Sequence, residues 1–166
     1  QELDFGVFPM RRNSAPTRST LPDARYQSQT VTKLINGIMK SGKKSTAEGL
    51  VYGAFDRIEE ISGRRGLDVF EIAVRNVTPT VEVKPRRVGG ATYQVPIDIR
   101  AERRETLALR WIRDAARTRN GRSYVEKLAA ELLDAAGDQP AGAAIRKKDE
   151  THRMAEANRA FAHYRW

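Results

Sequence analysis

Cysteine is absent from the 166 residues, and histidine occurs only at His152 and His163. Without thiols there is no disulfide framework, no cysteine-ligated zinc and no thiol nucleophile. Two histidines in one basic C-terminal segment cannot build a histidine-rich metal site. Neither is placed to serve as a base, oriented by a carboxylate, for a nearby serine. The expectation is therefore no catalytic residue, no metal and no cofactor. Long apolar runs are missing too. None approaches the roughly 18 consecutive apolar residues that a membrane-spanning helix requires, so no membrane partner is expected.

Acidic residues are in deficit. Thirty Lys and Arg stand against 21 Asp and Glu, a formal net charge of +9. Such an excess favours polyanionic partners. Net charge alone does not separate a nucleic acid from a merely solvated surface, so the distribution of the charge has to decide.

Hydrophobic periodicity describes the scaffold. Arg, Ser, Thr and Pro dominate Arg11 to Asp23, which reads as an extended arm over residues 1–25. Residues 26–166 then read as one helical domain. Val31, Leu34, Ile35, Ile38 and Met39 form one helical stripe that Gly42 can close. Ser45 with Glu48 resembles a capping box. It would open a second helix burying Ala47, Leu50, Val51, Ala54, Phe55, Ile58 and Ile61, with Gly63 as its stop. Asp68 with Glu71 signals a third helix, halted before Pro79. The period then changes to two. Val81 and Val83, then Tyr93, Val95, Ile97 and Ile99, alternate with polar residues around Gly89-Gly90, predicting a β-hairpin over about 80–99. Pro85 and Pro96 make it an isolated or edge ribbon. Helical spacing returns with Leu107, Ala108, Trp111, Ile112 and Ala115. Ser123 with Glu126 caps a helix burying Val125, Leu128, Ala129, Leu132, Leu133 and Ala136. A basic helical segment then runs to Trp166, with Phe161 assigned to the core. The expected fold class is mainly α: a bundle of about six helices, one protruding hairpin arm and an extended tail.

Gly37 to Lys43 spells G-x-x-x-x-G-K, the opening of a phosphate-binding loop. The eighth position should carry a Mg²⁺-binding hydroxyl but holds Lys44, and the preceding segment is helical rather than a strand. A helix end followed by a basic loop accounts for it better. Glu59-Glu60, beside Arg57, reads as a solvated helix face.

The basic clusters lie on irregular elements instead. Lys84, Arg86 and Arg87 approach the hairpin tip, where Gly89 and Gly90 permit close backbone approach to a ligand. Arg146, Lys147 and Lys148 are followed by Arg153, Arg159 and Arg165, with His163, Tyr164 and Trp166 interleaved. Cations neutralise phosphates, and aromatics can stack on unpaired bases.

Four motifs carry a likeness. Gly42-Lys43-Lys44 precedes a helix. Arg86-Arg87-Val88-Gly89-Gly90 leads to Tyr93-Gln94-Val95-Pro96. Leu107 to Trp111 reads LALRW, and Met154 to Trp166 reads MAEANRAFAHYRW. In this order they resemble the small-subunit ribosomal protein S seven family, bacterial type, from Met10 to Trp166. The resemblance implies six helices with a hairpin arm, and a structural constituent of the small ribosomal subunit rather than an enzyme. It implies primary binding to the 3′ major domain of small-subunit rRNA, nucleating assembly of the subunit head. The hairpin and C-terminal helix would line the path of exit-site tRNA and mRNA, beside neighbouring head and platform proteins. The residues expected on RNA are Arg11, Arg12, Lys43, Lys44, Lys84, Arg86, Arg87, Gly89, Gly90, Arg110, Arg146, Lys147, Lys148, Arg153 and Arg159. Trp111 is read as core or contact. A free-standing RNA- or DNA-binding regulator is the alternative. A helix-turn-helix regulator, however, would need one exposed recognition helix, whereas this charge sits on tails, loops and a hairpin.

Met10-Arg11-Arg12 resembles the start of bacterial relatives, so residues 1–9 read as an extension, of the kind a cleaved import presequence leaves. Gly42 to Ala54 is most similar to alphaproteobacterial members. The expected compartment is the mitochondrion, with a plastid or bacterial cytoplasm as alternatives.

Overall fold

The structure, a computed structural model, describes residues 19–164. Arg11, Arg12 and the extension at 1–9 lie outside the described residues, as do Arg165 and Trp166.

The chain enters through a turn pinned to the body by Asp23. This buried carboxylate accepts the backbone N–H groups of Arg25 and Tyr26, at 3.0 Å each, and the Tyr52 hydroxyl at 2.6 Å. Helix α1 (Gln29–Ile38) follows, with the Ser28 hydroxyl accepting from the Val31 N–H. Its stripe of Val31, Leu34, Ile35 and Ile38 is buried as the spacing requires. The helix stops at Ile38, short of Gly42. That glycine instead turns the following loop, with φ of 73°. Helix α1, not a strand, leads into the loop, so the phosphate-loop spelling has no phosphate-loop context.

Helix α2 (Lys44–Ser62) starts two residues before the position a Ser45 cap would need. Lys43 is the N-cap, Ser45 is already helical, and no side chain caps this end. Gly63, at φ 67° in the left-handed region, closes the helix with its N–H on the Glu59 carbonyl. Ala47, Val51, Ala54, Phe55 and Ile58 are buried, but Ile61 is 59% exposed. The helix outlasts the core by a turn, so the last residue of the expected stripe faces solvent. Helix α3 (Gly66–Val77) starts two residues before Asp68, which sits in its first turn. A Cβ on Gly66 would lie 2.6 Å from the Phe55 Cβ, so only glycine lets α3 begin hard against α2.

Strands β1 (Val81–Val88) and β2 (Ala91–Asp98) pair antiparallel as a two-stranded ribbon. Gly89 and Gly90 have φ of 56° and 85°, the doubly positive pattern of a hairpin turn matched to strand twist. Then come α4 (Ala101–Thr118), α5 (Tyr124–Ala136) and α6 (Ala143–Ala157). The Ser123 hydroxyl caps α5 by accepting from the Glu126 N–H at 3.3 Å. The expected last helix is broken. At Asn158 the α-helix gives way to a 3-10 helix, Arg159–Tyr164. Phe161 leaves the main core accordingly and packs on Tyr93 of the hairpin, ring centroids 4.9 Å apart. Among the described residues, the mainly α architecture with six α-helices and one hairpin matches the reading of the sequence.

Helices α1 to α5 share one core around Phe55 and Phe70, whose centroids are 5.4 Å apart. α6 joins through Ala144 and Ile145 and through a buried charge. Glu131 of α5, only 1% exposed, accepts the Ala144 N–H at 2.9 Å and the Arg119 guanidinium at 2.8 Å. Arg119 also reaches Asp134 at 2.5 Å. Gly142 has φ of 99°, and a Cβ there would lie 2.6 Å from the Glu131 Oε1. Glu131→Ala would orphan a helix-terminal N–H and leave the guanidinium only Asp134, which should cost about 2 kcal/mol. Urea unfolding midpoints test this, and a loss below about 0.5 kcal/mol, the range of ordinary surface substitutions, would contradict the role.

Candidate nucleic-acid interface

The hairpin is fixed at its base and free at its tip. Glu82, buried on β1, receives the Arg103 side chain of α4 through Nε at 3.1 Å to each oxygen and through Nη2 at 2.9 Å. Lys84 approaches the same carboxylate at 3.2 Å. The Thr80 N–H donates to His152 Nε2 at 3.2 Å, which ties the start of β1 to α6. The Ile99 N–H donates to the Thr80 carbonyl at 3.1 Å and closes the base. Val95 is fully buried. Beyond these anchors Arg87, Gly89 and Gly90 are exposed, and Arg86, opposite Tyr93 in the register, is half-buried.

Internal pairing divides the expected RNA cations into two groups. Lys43, Lys44, Arg86, Arg87, Arg110, Arg146 and Arg153 make no side-chain hydrogen bond or ion pair among the described residues. The others are engaged. Lys84 serves Glu82. Lys148 Nζ donates to the Asn76 carbonyl at 2.6 Å, clamping α6 to the end of α3. Lys147 stands 3.8 Å from Glu150, and Arg159 stands 3.6 Å from Glu156. Those last two pairs are exposed and weak, so a phosphate can displace them. Lys148 is different, because moving it would strip a half-buried contact.

The structure brings Arg110 and Lys147 together. They flank one shallow groove between α4 and α6, lined also by Trp111, Asp114, Ala115, Thr118 and Ala143. Lys43 and Lys44 lie at the start of α2, and the hairpin arginines lie at the tip of a separate arm. The expected residues therefore form several stations rather than one pocket.

A further basic face was missed by reading the sequence for clusters. A groove of about 320 Å³ between α1 and α4 is lined by Lys33, Asn36, Gly37, Thr106, Arg110 and Arg113, among others. Arg103, Arg110, Arg113 and Arg117 recur at seven, three and four residues, which places them on one side of α4. That periodicity was the available signal. Three of the four also have structural work, Arg103 on Glu82. Arg113 donates to the Gly37 carbonyl at 3.3 Å and Arg117 to the Ile38 carbonyl at 3.5 Å, satisfying the open end of α1. Lys33 pairs with Glu105, which also accepts from Thr30. Among the described residues there is no cluster of His, Asp and Glu able to hold a metal ion, and no helix long and apolar enough to cross a membrane.

Comparisons with known proteins agree in kind. The family model described as "Ribosomal protein S7p/S5e" matches residues 10–159. A protein of Syntrophotalea carbinolica named small ribosomal subunit protein uS7 is 60% identical over 94% of this chain and 99% of its own length. Proteins of the same name from Carboxydothermus hydrogenoformans and Methylobacterium nodulans are 60% and 57% identical over the same shares.

The hairpin anchor should respond to acid. Burial alone would raise the pKa of Glu82, but hydrogen bonds from Arg103 and Lys84 outweigh it and hold the carboxyl below its ordinary 4.5. A native value below the unfolded one stabilises fully above pH 4.5, and that stability is lost as pH falls through the lower native value. Hairpin amide protection factors should therefore drop on acidification through that window, and less so in Glu82→Gln. Identical acid profiles for the two proteins would refute the anchor.

Proposed function

This chain belongs to the ribosomal protein S7p/S5e family, and on that premise we propose that it is a structural, rRNA-binding constituent of the small ribosomal subunit. The observation that carries the reading is the likeness to small-subunit proteins along nearly the whole chain. The family is structural, and the chain is not an enzyme. Its geometry is suited to the task. Structured RNA is bound through shape and backbone rather than a groove code, which calls for a rigid body bearing cations at several points. The unpaired cations at the α2 start, the hairpin tip, α4 and α6 supply such points.

In finer terms, the chain binds the 3′ major domain of rRNA and nucleates head assembly. Its hairpin and C-terminal segment line the exit-site path of tRNA and mRNA, next to head and platform proteins. Support comes from the placement of Arg86, Arg87, Gly89 and Gly90 at the end of an arm whose base is anchored. The compartment we propose is the mitochondrion, on the pattern of Gly42 to Ala54; the relatives named above are bacterial. Fractionating source cells and immunodetecting the protein with mitochondrial small subunits would decide the compartment. Recovery only with a plastid or cytosolic ribosome would exclude the mitochondrial assignment.

Affinity for a 3′ major-domain rRNA fragment should fall steeply with salt, the log–log slope being about 0.7 to 0.9 per neutralised phosphate. The double substitution Arg86→Ser, Arg87→Ser should lower that slope by about one to two, if each side chain neutralises one phosphate. Lys148→Gln should leave the slope unchanged and reduce stability instead. Salt-independent binding would refute the phosphate contacts. Failure to sediment with small subunits in a sucrose gradient would refute the ribosomal role.

Deleting Arg86 to Gly90 should leave the helical body folded by circular dichroism, because no core residue is removed. Exit-site tRNA occupancy should suffer more than rRNA affinity. Unchanged occupancy would remove the proposed role of the arm.

A further inference from the structure

We infer that the groove between α4 and the first turn of α6 is a stacking site for one unpaired nucleobase, with Trp111 as its platform. The inference rests on the rRNA-binding reading and extends it from phosphate contact to base contact.

Three features of the groove point this way. The first is the aromatic itself. Trp111 is half-buried and packs against the main core, so the ring is held in one place while part of it faces the groove. Its indole N–H has no acceptor among the described residues, and it is not among the buried unpaired side-chain polar atoms described, which are the hydroxyls of Tyr26 and Tyr124.

The second feature is the floor. Ala115, Ala143 and Thr118 line the groove together with the indole. Small side chains leave a shallow apolar slot of about 360 Å³ next to the ring, and a flat aromatic face needs such a slot.

The third feature is the charge of the rim. Arg110 is unpaired and Lys147 only loosely held, at 3.8 Å from Glu150. Asp114 is the single carboxylate in the lining, and it is already spent. Arg113 grips both its oxygens, at 2.7 and 3.0 Å, and Arg117 stands 3.8 Å away. The carboxyl is held below its ordinary pKa by Arg113 foremost. The rim is therefore cationic around an apolar slot. A base on the indole with its flanking phosphates on Arg110 and Lys147 satisfies all three features. An aliphatic side chain of another protein would desolvate both cations and pair neither.

The chain has two tryptophans, Trp111 and Trp166. Trp166→Phe makes Trp111 the sole indole reporter in an otherwise unaltered chain. Its emission is followed while two decamers of equal charge are titrated, oligoadenylate and an abasic ribose-phosphate chain. The expected result is saturable quenching by oligoadenylate alone, with salt-sensitive binding of both. Trp111→Phe should keep most of the preference for oligoadenylate. Trp111→Leu should bind oligoadenylate about tenfold more weakly, and the abasic chain as before. If both decamers bind and the emission of Trp111 does not change, the groove takes no base and the rRNA reading stands. If neither decamer nor a small-subunit rRNA fragment binds, both readings fall. The quenching is read on the native Trp111 indole, so it does not depend on the Trp111 variants folding.

Discussion

A buried carboxylate ties α6 to the rest of the helical body. Glu131 lies within the helical core, where an unpaired charge would be expensive. Its partners come from three directions: Arg119 at the end of α4, the Ala144 N–H at the start of α6, and the left-handed Gly142 that lets the chain pass close by. The free N–H groups and positive dipole end of α6 suit an anion at this point. The carboxylate thus sets where α6 begins. The position of α6 in turn decides where Lys147 meets Arg110, where Lys148 reaches the end of α3, and where His152 receives the Thr80 N–H.

A chain with net charge of +9 cannot pair all its cations internally, and the pattern of pairing is informative. Cations near helix ends or beside buried carboxylates were taken up by the fold: Arg113 and Arg117 on α1 carbonyls, Arg103 on Glu82, Arg119 on Glu131. Those left over stand on the hairpin tip, the α2 start and the outer faces of α4 and α6. A polyanion meeting these residues breaks no internal pair, so its full Coulombic gain is available for binding. Composition gave the excess. Only the three-dimensional pairing separates the idle cations from the employed ones.

The parts of the fold legible in the sequence were those with short-range causes. The α1 stripe, the Ser123 cap and the Gly89-Gly90 turn each depend on a few adjacent residues, and each formed where the pattern placed it. The misreadings had long-range causes. Ser45 spells a cap, but the turn at Gly42 brings Lys43 to the helix start first. Ile61 continues the α2 stripe after the neighbouring helices have ended. Phe161 looks like a core aromatic, and the break at Asn158 redirects it to the hairpin. Arg146 and Lys148 are indistinguishable in a run of three cations. Helical phase turns one to solvent and the other onto the Asn76 carbonyl. The α4 stripe was legible by periodicity, but adjacent clusters drew the reading away from residues spaced by whole turns.

The anchoring of the hairpin connects these points. A lone two-stranded ribbon is marginal in water at best, so this one must borrow stability from the body. It does so on several sides at once: Glu82 on α4, Thr80 on α6, Val95 in the interior, and Tyr93 on the 3-10 helix. The first two contacts hold the base, and the aromatic one lies nearer the tip. Fixing the ribbon at its base and along one edge limits the entropy that ligand binding would otherwise have to remove. It also makes the arm and the C-terminal segment one surface, because Tyr93 and Phe161 can part only if one of them moves. A displacement of α6 therefore reaches the hairpin through His152, and one of the following 3-10 helix reaches it through Phe161.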